Sequence, residues 1–284
     1  MSVKIMTDAA ADIPKEYALA HGIEILPFIL NCDGAEVVAD VNLTPEKFYE
    51  IFHGLNEMPS TSQSSPAVVE EIFRRLTADG SSLIYASISA NGSGIFNTAS
   101  LLAQQLREEG LDITVVDSGM FSMTIGLPVM RAAEMAESGS GKNEILAFLT
   151  EIFQRDSAYI VVDDLKYLKK GGRIKATQMV ISEMLDIKPI LKINDGLIEA
   201  FGKVRGVKKA LSKLVDLTEE LMDSPSENEV VILSSEADER VEILKRMLNE
   251  RLQPKAINCY SIGPVVTVHI GTGVTAVYFK HKKQ

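Results

Sequence analysis

Along the first half of the chain, short apolar runs alternate with polar loops and helical stripes. Residues 3–6 form a buried-strand pattern that gives way to Thr7-Asp8, and a helix opens near Pro14 and closes before Gly22. Residues 23–30 read as a second strand. Thr44-Pro45 marks a helix start, with Pro45 in the first turn, where its missing N–H costs nothing. A strand at 83–87 runs into the loop S-A-N-G-S-G, after which Ile95, Ala99, Leu102 and Leu106 share one helical face ending at Gly110. Residues 113–116 are another strand, closed by Asp117-Ser118. A further helix runs through 130–136 to a Gly/Ser-rich break at 137–141. Strands alternating with helices predict a parallel sheet covered on both faces, with ligands beyond the carboxyl ends of its strands. That rule brings Thr7, Asp8, the S-A-N-G-S-G loop and Asp117-Ser118 to one edge, with Thr61-Ser62 beside them.

The texture changes after a helix at 144–153. Residues 159–162 read as a strand, 187–193 and 197–203 as a hairpin around Asn194-Asp195-Gly196, and 229–233 and 257–262 as strands separated by a helix at 238–252. The expected fold class is therefore α/β. An N-terminal parallel-sheet α/β/α domain covers residues 1–155 and a second, α+β domain covers 156–284.

Within the first domain, the stretch S-T-S-Q-S-S-P at 60–66 packs small hydroxyl side chains against a helix on which Val69, Ile72, Phe73 and Leu76 repeat. Pro66 suits the first helical position, and Ser64 or Ser65 supplies the cap. A helix N-terminus presents unpaired N–H groups and partial positive charge, so Thr61, Ser62 and Gln63 could hold a carboxylate or phosphate there. A capped loop without a ligand is the plain alternative. The formal net charge of -10 argues against nucleic acid or an anionic membrane as the main partner. Only Cys32 and Cys259 occur, without C-x-x-C spacing, which indicates neither a disulfide framework nor a zinc site. The opening residues lack the apolar core of a signal peptide, and no run approaches the ~18 apolar residues of a membrane span. A cytoplasmic protein without stable membrane insertion is expected.

Gly139-Ser140-Gly141-Lys142 fails the phosphate-loop pattern, having Ala136 and Asn143 at the decisive positions and following a helix. Gly92-Ser93-Gly94 is not a G-x-S-x-G elbow. Ser93 as nucleophile with His269 as base, in a serine hydrolase acting on a lipid ester, is kept as the alternative function, although a third, orienting group is not evident. More simply, the glycines let backbone N–H groups approach a ligand, and Ser93 completes an oxyanion cradle. His269, in T-V-H-I-G-T-G, either donates to an anion or is satisfied at a strand end. Lys166, Lys169, Lys170, Arg173 and Lys175 have no acid among them, and Lys203, Arg205, Lys208 and Lys209 form a second basic knot. A solvated face is the default; docking to an acidic partner, or steadying a phosphoryl group, is the functional reading.

The set of motifs resembles the DegV family of bacterial fatty-acid-binding proteins over essentially the whole chain. It comprises T-D near the start, P-S-T-S-Q at 59–63, S-G at Ser93-Gly94, V-V-D-S at 115–118, L-K-K-G-G-R-I at 168–174, I-K-P-I-L at 187–191, K-V-R-G at 203–206, and I-G-P-V-V with the later His269. The resemblance implies a DegV-like fold with a long-chain fatty acid in a tunnel between the domains. Its carboxylate is held by Thr61, Ser93 and His269, with Ser62 and Gly94 in the same site. It also implies a lipid carrier rather than an enzyme, using no cofactor and no metal. A separate fatty-acid kinase phosphorylates the carboxylate with ATP, and the acyl phosphate travels on to phospholipid synthesis. Arg173 and Arg205 then belong to the kinase-facing surface or lie near the phosphoryl group. Met120, Phe121, Met123, Met179 and Met184 are candidates for the lining or for plain core. Departures from the family pattern include Ala9, Ser64, Asn91 and Phe96, of which Asn91 and Phe96 bear on tunnel shape.

Overall fold

A computed structural model describes residues 2–155, 157–175 and 186–282. Met179 and Met184 lie outside the described residues. The chain divides into two compact units, Met1–Gln154 with Gly263–Val265, and Arg155–Ile262 with Val266–Gln284.

The elements up to the division are β1 (Val3–Asp8), α1 (Lys15–Ala20), β2 (Glu24–Leu26), β3 (Phe28–Cys32), β4 (Ala35–Ala39), α2 (Pro45–His53), β5 (Ser60–Gln63), α3 (Pro66–Thr77), β6 (Ser82–Ser87), α4 (Ile95–Glu108), β7 (Ile113–Asp117), α5 (Met123–Glu137) and α6 (Lys142–Arg155). Four parallel strands in the order β2-β1-β6-β7 form the main sheet. Every residue of β6 is buried, as expected of a strand covered on both faces. The stretch expected as one strand at 23–30 is two strands in two sheets. Pro27 separates them, because a residue without an N–H cannot continue a ladder. β2 pairs with β1, whereas β3 joins a separate antiparallel sheet ordered β4-β3-β5. Its β3–β4 turn is Asp33-Gly34, both at positive φ (50° and 84°), as a two-residue hairpin of the favoured hand requires.

Beyond the division come β8 (Ser157–Val161), α7 (Lys166–Gly171), β9 (Ile187–Asn194), β10 (Leu197–Arg205), α8 (Val207–Leu221), β11 (Glu229–Ser235), α9 (Asp238–Arg251), β12 (Ala256–Ser261), α10 (Pro264–Ile270) and β13 (Val274–Phe279). They build a six-stranded sheet ordered β10-β9-β8-β13-β11-β12, antiparallel except for β11 and β12. The hairpin at 187–203 is present, with Asn194 opposite Leu197. β13, which the sequence pattern did not suggest, lies between β8 and β11. One sheet face is covered by α8 and α9, where Leu211, Leu214 and Leu244 pack with Val161, Ile232 and Val277. Among the described residues no helix is long and apolar enough to cross a membrane, and no group of His, Cys, Asp and Glu could hold a metal ion.

Candidate functional site

In the first unit the sheet edge is built by polar residues, of which Thr7, Asp8 and Ser118 are buried and Asp117 is exposed. Asp8, at the end of β1, accepts the Ile88 N–H (2.8 Å) and the Tyr85 hydroxyl (3.0 Å) on Oδ2, and the Ala10 N–H (3.2 Å) on Oδ1. Burial pushes its carboxyl up to about 6, against the pull of these bonds. Thr7 donates to the Ala86 carbonyl (2.7 Å), Asp117 Oδ1 accepts the Ala90 and Gly119 N–H groups (3.0 and 2.9 Å), and Ser118 Oγ accepts the Met120 N–H (3.1 Å). These four residues shape the loops at the edge. Ser89, buried, folds the next turn by accepting the Asn91 and Gly92 N–H groups. Gly92 backs onto Phe121, since a β-carbon there would stand 2.5 Å from the ring. Phe121 thereby supports the loop, and Met120 and Met123 are buried.

That turn delivers Ser93 and Gly94 to the start of α4. The Ser93 N–H donates to the Ser89 carbonyl (2.9 Å), and Ser93 Oγ accepts the Ile95 N–H (3.4 Å). A hydroxyl oxygen that accepts one bond still carries a proton to donate. Gly94 leaves α4 without a side-chain cap. The stretch at 60–63 is an edge strand, not a loop, and Thr61 lies opposite Leu30. Ser65 caps α3 by accepting the Val68 N–H, while the Ser64 hydroxyl donates to the Pro27 carbonyl (2.6 Å). The helix start reached from β5 is therefore that of α4 instead of α3. Gln63 Nε2 donates to Thr98 Oγ1 (2.9 Å), and its Oε1 would stand 3.0 Å from a β-carbon on Gly94. Strand alternation puts Thr61 on the Gln63 face, half-buried, and sends the exposed Ser62 side chain to the other.

In the second unit His269 occupies the last turn of α10, a helix where the sequence suggested a strand end. Gly271 ends that helix at φ +81°, its N–H donating to the Thr267 carbonyl (2.8 Å). The Ser235 hydroxyl donates to the Gly271 carbonyl (2.9 Å), and the Gly273 N–H donates to the Ser235 carbonyl (2.7 Å). Burial, and then the charge of Arg173, push His269 down to about 4. The imidazole is consequently neutral near pH 7 and offers one N–H donor. The Arg173 guanidinium donates to the Gly171 carbonyl. The Arg173 carbonyl accepts the Ile198 N–H (3.0 Å), which places it at the start of β10, whereas Arg205, exposed, ends that strand. Seven residues of strand separate these points by roughly 20 Å, so the two arginines do not share one backbone position. The basic run also finds an acid elsewhere in the chain: Lys175 reaches Glu199 (3.3 Å), which Lys192 of β9 meets as well (3.1 Å).

The family model described as "Uncharacterised protein, DegV family" matches residues 2–282. A DegV domain-containing protein of Clostridium perfringens is 35% identical over 281 residues, covering 97% of this chain and 96% of that protein. The structure of a DegV family protein from Thermus thermophilus, presented as showing fatty acid binding, superposes with a TM-score of 0.89 at 27% identity, covering 99% of this chain and 100% of that one. A fatty acid binding DegV family protein from Streptococcus agalactiae gives 0.88 at 28% identity, covering all of both chains. A match along nearly the whole length, in sequence and in fold alike, makes this chain a member of the DegV family.

Proposed function

We propose that this protein binds a long-chain fatty acid and that the carboxylate is held by the hydroxyls of Thr61 and Ser93, the N–H groups around Gly94, and the neutral imidazole of His269. Ser62, with its side chain on the other face of β5, contributes through its backbone. The observation that carries the reading is the Gln63 bridge. It ties β5, which bears Thr61, to the first turn of α4, which follows Ser93, across 35 residues of sequence. Two segments rich in small donors are thereby held in register within one unit. The DegV proteins of Thermus thermophilus and Streptococcus agalactiae, both named for fatty acid binding, supply the ligand class.

Magnitudes favour a division of labour. Burying fourteen methylenes at ~0.8 kcal/mol each gives roughly 11 kcal/mol, against about 1.5 to 3 kcal/mol for one hydrogen bond to a charged group. The hydrocarbon supplies affinity and the donors fix the head group. Because the proposed donors are neutral, the carboxylate keeps its charge and remains a nucleophile.

The finer reading is that a separate fatty-acid kinase docks on the surface bearing Arg173 and Arg205, transfers the γ-phosphoryl of ATP to a carboxylate oxygen and releases ADP. The acyl phosphate is then carried toward phospholipid synthesis. The placement of Arg173 beside the start of β10 and of Arg205 at its end supports an extended docking face over a single phosphoryl clamp. Mass spectrometry of an organic extract of the purified protein should yield intact free fatty acid, and mixing with a fatty-acid kinase and ATP should yield acyl phosphate. Covalent labelling of Ser93 by a serine-directed probe, with no extractable fatty acid, would replace the carrier with a hydrolase.

A further inference from the structure

In the second unit, the segment leading from β8 through α7 is zipped to the end of α10 and the loop after it at three points. A β-carbon on Gly171 would stand 2.9 Å from His269 Nδ1, one on Gly271 would stand 2.4 Å from Cδ2 of Tyr167, and one on Gly273 would stand 2.3 Å from Asp163 Oδ2. Positions 163, 167 and 171 recur every four residues; 269, 271 and 273 recur every two. The pairs 171 with 269, 167 with 271 and 163 with 273 run in opposite chain directions, so the two segments lie antiparallel along this seam. Gly271 and Gly273 have φ of +81° and +73°, and the missing side chain serves both the turn and the close approach. Arg240 secures the far end. Its guanidinium bonds both Asp163 oxygens (2.9 and 2.7 Å) and the Gly273 carbonyl (2.9 Å), and Lys188 joins at Asp163 Oδ1 (2.6 Å). The Ser235 bonds grip only backbone atoms of this loop, whereas Gly171 meets the imidazole itself.

We propose that Asp163, Tyr167 and Gly171 are positioning residues for His269, with the Tyr167 ring as the stop against which the loop, and with it the imidazole, is set. This rests on the reading of His269 as a carboxylate contact, and the test separates the two. The chain has four histidines, so single His→Gln variants assign the His269 imidazole signal by NMR. In ligand-free protein, Tyr167→Ala should move that signal, and calorimetry with oleate should show binding weakened about five- to twentyfold. Tyr167→Phe should retain wild-type values for both. The Tyr167→Ala/His269→Ala double variant should bind oleate no more weakly than His269→Ala alone. An unmoved imidazole signal, or penalties that add in the double variant, overturns the positioning role. Oleate affinity unchanged in His269→Ala overturns the carboxylate contact instead, and the imidazole signal still decides the positioning. Should Tyr167→Ala not fold, Tyr167→Leu carries the same required outcomes.

Discussion

His269 and Asp12 make opposite demands on pH. His269 is pushed down to about 4 by burial and the nearby Arg173, so the unfolded chain takes up its proton first as pH falls. The stability it contributes is present above about 6.5 and is lost on acidification toward 4. The difference in unfolding free energy between wild type and His269→Gln should shrink across that window by up to about 1.4 kcal/mol per pH unit. Asp12 behaves in reverse. Its Oδ1 is buried, its Oδ2 accepts the Ser122 hydroxyl, and burial pushes the carboxyl up to about 7 with help from the charge of Asp8. The folded state here binds the proton more tightly, so stability is lost as pH rises from about 4 through 7. Relative to Asp12→Asn, wild type should lose up to about 1.4 kcal/mol per unit across that range. Urea melts at stepped pH check both signs at once. At the proposed head-group contacts, Thr61→Ala and Ser93→Ala should each weaken oleate binding about tenfold with the urea midpoint unchanged, and Thr61→Ser should restore it. Thr61 stands out in the sequence because it lies in a run of small hydroxyls before a helix, Ser93 because glycines flank it, and His269 because it is a histidine beside two glycines. Gln63, Asp8 and Asp117 are legible as members of the same edge, but the bonds they make are not, because their partners Thr98, Ile88 and Ala90 are distant in sequence.

At the scale of elements, the parallel β/α alternation and the Asp195-Gly196 hairpin were legible because period and turn chemistry agree there. Asp33-Gly34 carries the same turn signal, but the apolar run before it masked the change of sheet at Pro27. α10 was hidden for a different reason. Its Pro264-Val265-Val266-Thr267-Val268 is rich in β-branched residues of low helix propensity, so tertiary packing decides its form. β13 escaped because the glycines before it, in G-T-G, drew a ligand-loop reading, whereas they serve the close approach to Tyr167 and Asp163. The two D-G turns make a matched test. Gly34→Ala and Gly196→Ala each place a β-carbon at φ of +84° or +68° and should cost about 1 to 2 kcal/mol. Gly141, in open space without a positive φ, should accept alanine within about 0.5 kcal/mol. Equal urea midpoints for all three would remove the turn assignment.

Over the whole molecule, the proposal that hydrocarbon supplies the affinity makes a prediction about chain length. If the acyl chain is fully withdrawn from water, each pair of added methylenes contributes about 1.6 kcal/mol, a gain of roughly 15-fold in affinity. Competition binding with saturated acids of eight, twelve, sixteen and twenty carbons should therefore climb steeply and then level off once the enclosed length is exceeded, because further methylenes remain in water. Adsorption to an open apolar face would instead give a shallow, unbroken slope. Replacing the carboxylate by the corresponding alcohol, at fixed chain length, should lower every affinity by a similar factor of about ten to a hundred, since the head-group contribution is independent of the tail. A plateau that shifts when the head group is changed would mean that the two ends are not read separately. The division between tail burial and head-group orientation would then have to be abandoned even if fatty acid remained the ligand.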